Sequence, residues 1–162
     1  MAGVGVIGLG YWGPNLLRNI TANRRTEKVV ICDKDPGRLN KIGARFASCH
    51  KTLDCADIFN DPEIDAVVIA TTVSTHYPLA MEAMKAGKHV FVEKPFAETT
   101  AKAEEMVAFA EEKNWFPWWA THSSIHLQFS RSNRYWTAKS LETYASLPAT
   151  GSTSGFIRRM FQ

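Results

Sequence analysis

The residues of this sequence whose types and spacing could do chemistry are three glycines, an aspartate, and a short set of polar residues that follow apolar runs. In Val4-Gly5-Val6-Ile7-Gly8-Leu9-Gly10-Tyr11-Trp12-Gly13-Pro14 an apolar stretch breaks into glycines at positions 8, 10 and 13. That spacing is the dinucleotide-binding pattern. Gly8 allows the tight turn out of a strand, Gly10 lets the backbone approach a pyrophosphate, and Gly13 lets the next helix pack against the strand. The N-terminus of that helix then offers unpaired N–H groups to the phosphates. Glycines at these offsets also occur in ordinary loops, so the surrounding elements have to decide. Twenty positions after Gly13 stands Asp33, at the end of the apolar run Val29-Val30-Ile31-Cys32. A carboxylate there would take the adenosine ribose hydroxyls. A turn or cap is the other use for such an aspartate, but Asp35-Pro36 already supplies the cap and first turn of a following helix.

The elements that must position these residues follow from periodicity. Strands are expected at residues 4–7, 28–33, 47–49, 65–70 and 88–92, the run from Asp65 to Ala70 being apolar enough for a parallel strand covered on both faces. That strand should lie beside the first. Helices are expected from Tyr11 to Asn23 with Leu16, Leu17 and Ile20 on one face, and from Pro36 to Phe46. Further helices are expected around Asp54–Phe59, from His76 to Ala86 with Gly87 as terminator, and from Thr99 to Lys113 with Ala103, Val107 and Ala110 inward. Regular alternation of strand and helix predicts an α/β fold: a three-layer, doubly wound parallel sheet of the Rossmann type over residues 1–114. Ligands of such sheets bind beyond the carboxyl ends of the strands, where strand order reverses. The glycine loop, Asp33, the loop containing Thr71 and Thr72, and Glu93-Lys94 all fall on that rim.

Composition narrows the function classes. The chain has 162 residues, 45% hydrophobic and 22% charged, which is ordinary globular usage. No apolar run suits a membrane span and the N-terminus carries no secretion signature, so a cytoplasmic location without a membrane partner is expected. The net charge of +3 resides entirely after Asn114, where five basic residues face only Glu142. A scattered excess of that kind does not form a nucleic-acid-binding stripe, so no nucleic-acid partner is expected. Cys32, Cys49 and Cys55 contain no Cys-x-x-Cys spacing and predict neither a disulfide framework nor a metal site. They are expected to pack as small hydrophobes.

Taken together, Val6-Ile7-Gly8-Leu9-Gly10-Tyr11-Trp12-Gly13, Asp65-Ala66-Val67-Val68-Ile69-Ala70-Thr71, His76, and Ala86-Gly87-Lys88-His89-Val90-Phe91-Val92-Glu93-Lys94-Pro95 resemble the glucose–fructose oxidoreductase, inositol dehydrogenase and rhizopine-catabolism (Gfo/Idh/MocA) family. The resemblance covers residues 1–114 and is nearest to its nucleotide-sugar dehydrogenases. It implies hydride transfer between a nicotinamide cofactor and a carbinol of a small-molecule sugar, nucleotide sugar or cyclitol. Lys94 takes the catalytic position, near both the ring and the substrate. A lysine beside a positively charged, oxidised nicotinamide has its charged form disfavoured, which suits it to accept a hydroxyl proton. Glu93 and His76 would line the nicotinamide-ribose side, with Tyr11, Trp12, Thr71 and Thr72 completing the cofactor contacts. Thr72 stands where the family often has proline. NAD is expected over NADP, because Asp33 occupies the place of a 2′-phosphate and no arginine directly follows it.

Two other functions share parts of this pattern. A methyltransferase also uses a glycine-rich first turn and an acid at the end of its second strand, but gives no reason for Glu93-Lys94-Pro95. A non-catalytic nucleotide-binding fragment would keep the cofactor half alone.

After Asn114 the pattern stops. Trp115-Phe116-Pro117-Trp118-Trp119 stands where a sixth strand belongs and carries a proline and bulky indoles. Residues 115–162 are expected to be an out-of-frame or poorly ordered tail, leaving the chain inactive by itself and a sheet edge open to a second copy. With one C restored after Asn114, permitted codons for Trp115 to Phe129 can be reread as Leu-Val-Pro-Leu-Val-Gly-His-Thr-Phe-Val-Tyr-Ser-Pro-Ala-Val, which resembles the family's sixth strand and its continuation.

Overall fold

Each apolar run in the first part of the chain divides between two cores, one on either side of a single sheet. The computed structural model describes residues 2–113 and the backbone of residues 118–119. Its strands are β1 (Ala2–Ile7), β2 (Thr26–Cys32), β3 (His50–Thr52), β4 (Ala66–Ile69), β5 (His89–Val92) and β6 (Trp118–Trp119). They alternate with α1 (Gly13–Thr21), α2 (Pro36–Gly43), α3 (Cys55–Asn60), α4 (Val73–Lys85) and α5 (Thr100–Glu112). The order across the sheet is β3-β2-β1-β4-β5-β6, and every pairing is parallel. This is the doubly wound Rossmann order, with its reversal between β1 and β4.

Because side chains alternate along a strand, Val4 and Val6, Val29 and Ile31, Val68, and Phe91 fall on one face. There they meet Leu16, Leu17 and Ile20 of α1 and Leu39 and Ile42 of α2. Ile7, Val30, Cys32, Val67, Ile69, Val90 and Val92 fall on the other, against Ile58 and Phe59 of α3, Met84 of α4 and Met106 of α5. Both faces are thus covered, which is why these strands read as continuous apolar runs. Val6, Leu17, Ile31, Val67 and Ile69 are fully buried.

Polar groups set the register where the strands enter the sheet. The Asp65 carboxylate accepts the Gly3 N–H at 2.8 Å, and its own N–H reaches Gly3 O at 2.9 Å, fixing β4 beside β1. Lys88 is buried just before β5. Its ammonium donates to the carbonyls of Asp61 at 2.6 Å and Ile64 at 2.8 Å, tying β5 to the segment that leads into β4.

Several boundaries and one buried face differ from the sequence expectation, and α1 (Gly13–Thr21) and α2 (Pro36–Gly43) are both shorter than expected. β3 lies at His50–Thr52 rather than 47–49, because an exposed edge strand needs no apolar pattern to announce it. α4 begins at Val73 rather than His76 and contains Pro78 within it. Its Ser/Thr-rich first turn, capped by Thr72 with no side-chain bond, reads as loop in the sequence. In α5 the buried residues are Met106 and Ala110, while Ala103 and Val107 are half-buried. A sixth strand is also present. The backbone of Trp118 and Trp119 pairs with Phe91 and Val92 although Pro117 precedes it. The expectation of an out-of-frame or poorly ordered tail otherwise lies outside the described residues. Among those residues no helix is long and apolar enough to cross a membrane.

Candidate functional site

The carboxyl ends of β2, β1, β4 and β5 stand side by side, so Asp33, the glycine loop, Thr71 and Glu93-Lys94 line one rim in that order. At the usual strand spacing this rim extends about 14 Å, with the topological reversal in its middle.

The three glycines of the loop are required for different reasons. Gly8 has φ +91°, and a Cβ there would lie 2.7 Å from Ala70 O. At Gly13 a Cβ would meet Gly8 O at 2.1 Å, so only glycine lets α1 approach the turn. Gly10 differs, because a Cβ on it would meet nothing within 4 Å among the described residues. Packing among the described residues does not demand that glycine, whereas a group lying against the backbone would. α1 starts beside this opening with Pro14 in its first turn, no side-chain cap and no acidic residue in that turn. A phosphate placed there would face the positive end of the helix without a competing anion. These observations fit a dinucleotide.

Asp33 is buried, and its carboxylate fastens the loop to β2. Oδ2 accepts the Leu9 N–H at 2.8 Å and Oδ1 accepts the Asp35 N–H at 2.9 Å. The neighbouring Cys32 carbonyl accepts the Gly8 N–H at 2.8 Å. Asp33 also holds Arg38, whose Nη1 stands 3.2 Å from Oδ2. Sequence reasoning missed this arginine by looking only at the residues directly after Asp33. The signal was available: a helix starting at Pro36 puts Arg38 in its first turn, beside the end of β2. Asp35 caps the same helix, accepting from Gly37 N and Arg38 N, and these amide bonds, the Arg38 one foremost, hold its carboxyl below its ordinary value.

At the end of β4, Thr71 Oγ1 accepts from Thr75 Oγ1 at 2.7 Å, and Thr72 O accepts the Thr75 hydroxyl at 2.8 Å. The imidazole of His76 is buried, with Nδ1 2.8 Å from Pro95 O and Nε2 3.1 Å from Thr71 O. It therefore joins the loop after β4 to the loop after β5. Glu93 is buried as well, and this burial pushes its carboxyl up from its ordinary value against the opposing pull of Lys94 and His76. The Lys94–Pro95 peptide is cis. Lys94 is half-buried, and its ammonium lies 5.9 Å from the ring centroid of Trp12. Tyr11 and Trp12 are exposed and meet edge to face at 5.3 Å. The structure thus brings the glycine-loop aromatics and the lysine after β5 to the same side of the rim, with Asp33 and Arg38 on the opposite side of the loop.

Residues 2–118 match the model of the Gfo/Idh/MocA oxidoreductase family, NAD-binding Rossmann fold. The chain belongs to this family. Among Gfo/Idh/MocA relatives, the inositol 2-dehydrogenase of Acidothermus cellulolyticus is 36% identical over 99 residues, covering 60% of this chain and 29% of that protein. GenD2 from gentamicin A biosynthesis, solved in complex with NAD, has a TM-score of 0.70 at 29% identity and covers 74% of this chain and 34% of its own. KijD10, a 3-ketoreductase from Actinomadura kijaniata solved with NADP and TDP-benzene, has a TM-score of 0.67 at 26% identity, covering 73% of this chain and 36% of its own. The chain spans about a third of the length of these relatives. Gfo/Idh/MocA proteins are NAD(P)-binding, and the solved relatives hold NAD in one case and NADP in the other.

Proposed function

We propose that this chain is the cofactor-binding part of a dehydrogenase that acts on a sugar, nucleotide sugar or cyclitol and prefers NAD. The observation that carries the proposal is the open space at Gly10, flanked on one side by the buried carboxylate of Asp33 and on the other by Lys94. Both lie on the rim where a doubly wound sheet takes its ligand. Inositol dehydrogenase, GenD2 and KijD10 as relatives support the substrate class.

When bound, the nicotinamide supplies the site that gives or takes a hydride. The chain's residues do the rest. The glycine loop and the first turn of α1 hold the pyrophosphate, and Asp33 holds the adenosine ribose. Gly8, Gly10, Tyr11, Trp12, Gly13, Thr71 and Thr72 form the cofactor wall, and His76 with Glu93 shapes its nicotinamide end. Lys94 orients the substrate hydroxyl and accepts its proton at Nζ. In the same reading, residues 115–162 are an out-of-frame tail, and the family match ends close to its start, at residue 118.

Calorimetric titration of the purified chain with NAD, NADP and S-adenosylmethionine tests the first part. Saturable binding of NAD without S-adenosylmethionine binding is the expected result, and no binding of either nicotinamide cofactor overturns the reading. A turnover assay with inositols, sugars and nucleotide sugars separates dehydrogenase from non-catalytic fragment. Where turnover is found, Lys94→Met should abolish it while cofactor binding persists.

A further inference from the structure

The three cysteines are not equivalent in space. Cys32, the last residue of β2, and Cys55, the first of α3, are 23 positions apart, yet their sulfurs lie 3.5 Å from each other. Cys49 belongs to the core on the opposite face of the sheet, so the sheet itself separates its thiol from that of Cys32. Cys32 is buried and Cys55 is half-buried. We propose that Cys32 and Cys55 form an oxidisable dithiol, in which the thiolate of the half-buried Cys55 attacks hydrogen peroxide and the buried Cys32 resolves the product to an intramolecular disulfide.

The chemistry balances with the hydroperoxide as oxidant. The Cys55 thiolate attacks a peroxide oxygen, forming S–O and breaking O–O, and the departing hydroxide is protonated to water. The Cys32 sulfur then attacks the Cys55 sulfur, forming S–S and breaking S–O, while the Cys32 proton leaves with the hydroxide as a second water. Two thiols lose two electrons, and the peroxide gains them. Closure requires the sulfurs to approach by about 1.5 Å to reach disulfide bonding distance. The roles follow from exposure, since Cys55 is half-buried and Cys32 is buried, and the hydrogen bond between the two sulfurs acts in the same direction, lowering the Cys55 thiol from its ordinary value. The same bond, together with burial, pushes Cys32 up. Cys55 is therefore the thiol that meets the peroxide, and Cys32 is the one held in reserve.

The test uses the full 162-residue chain, reduced and then treated with hydrogen peroxide. After alkylation of the remaining thiols, peptide mapping should show one Cys32–Cys55 disulfide, a loss of two hydrogens, and an alkylated Cys49. Dithiothreitol should restore all three thiols. Cys49→Ser should form the bond at an unchanged rate, and Cys55→Ser should form none. In urea the selectivity should vanish, with Cys49 entering the pairings. Overoxidation of Cys55 beside a free Cys32, pairing that includes Cys49 in the folded chain, or survival of all three thiols would each overturn the proposal.

Discussion

At the scale of single residues the adenosine end of the rim carries two opposed signals. In the proposed reading Asp33 selects an unphosphorylated ribose, whereas Arg38, bound to it, is the kind of group that accommodates a 2′-phosphate. Since Arg38 is mostly satisfied by Asp33 and Asp35, we expect NAD to bind more tightly than NADP. Asp33→Ala removes charge-assisted bonds to the ribose and should cost roughly 1.5–3 kcal/mol, about ten- to a hundredfold in NAD affinity. Arg38→Ala should weaken NADP more than NAD. Titration of both cofactors into the three proteins checks this, and equal wild-type affinities would remove the assignment. Glu93 gives a pH test. Its folded-state carboxyl is raised by burial, so the folded chain binds the proton more readily than the unfolded chain. Stability from this group is present at low pH and falls as pH rises from the ordinary glutamate value through the raised one. Urea midpoints across that window should show the fall in wild type and a shallower slope in Glu93→Gln. Parallel slopes would show that Glu93 is not the group responsible.

At the scale of elements, two internal residues join neighbouring segments of the sheet rim and its opposite end. His76 sits in the first turns of α4 and spans Thr71 O and Pro95 O, so the end of β4 and the end of β5 are joined by a helix side chain. Lys88 performs the corresponding task at the other end of β5 through the carbonyls of Asp61 and Ile64. Lys88→Met keeps the apolar stem but takes the ammonium from both carbonyls, leaving Asp61 O with the Ile64 N–H, and should cost about 1–3 kcal/mol. Chemical denaturation measures it, and a loss below about 0.5 kcal/mol would place Lys88 among ordinary surface substitutions. Neither role was legible in the sequence. Lys88 reads there as the start of a strand, and a side chain bridging two loops leaves no periodic trace.

For the whole molecule, the chain spans about a third of the length of the relatives it matches. The reading of residues 115–162 as out of frame is tested on the encoding DNA at the codons for Asn114 and Trp115. A missing base there, with a family-like continuation in the shifted phase, is the expected finding. An uninterrupted frame without such a continuation discards it, and measurable sugar oxidation by the purified chain discards inactivity. The sequence by itself determined the doubly wound parallel fold, the glycine turn and the family. Strand alternation and the offsets from Gly8 to Gly13 are local spacings that the backbone converts directly into geometry. It also placed β4 beside β1 from the apolar run at 65–70, which needs cover on both faces. It misplaced β3 and the start of α4, since a three-residue exposed strand and a Ser/Thr-rich first turn carry no apolar period. Only the tertiary structure decided that Arg38 lies on Asp33, that His76 ties Thr71 to Pro95, and that Cys32 meets Cys55 while Cys49 does not. Those contacts depend on which helix packs on which face of the sheet, a choice made by burying both faces at once and not by any stretch of the chain alone.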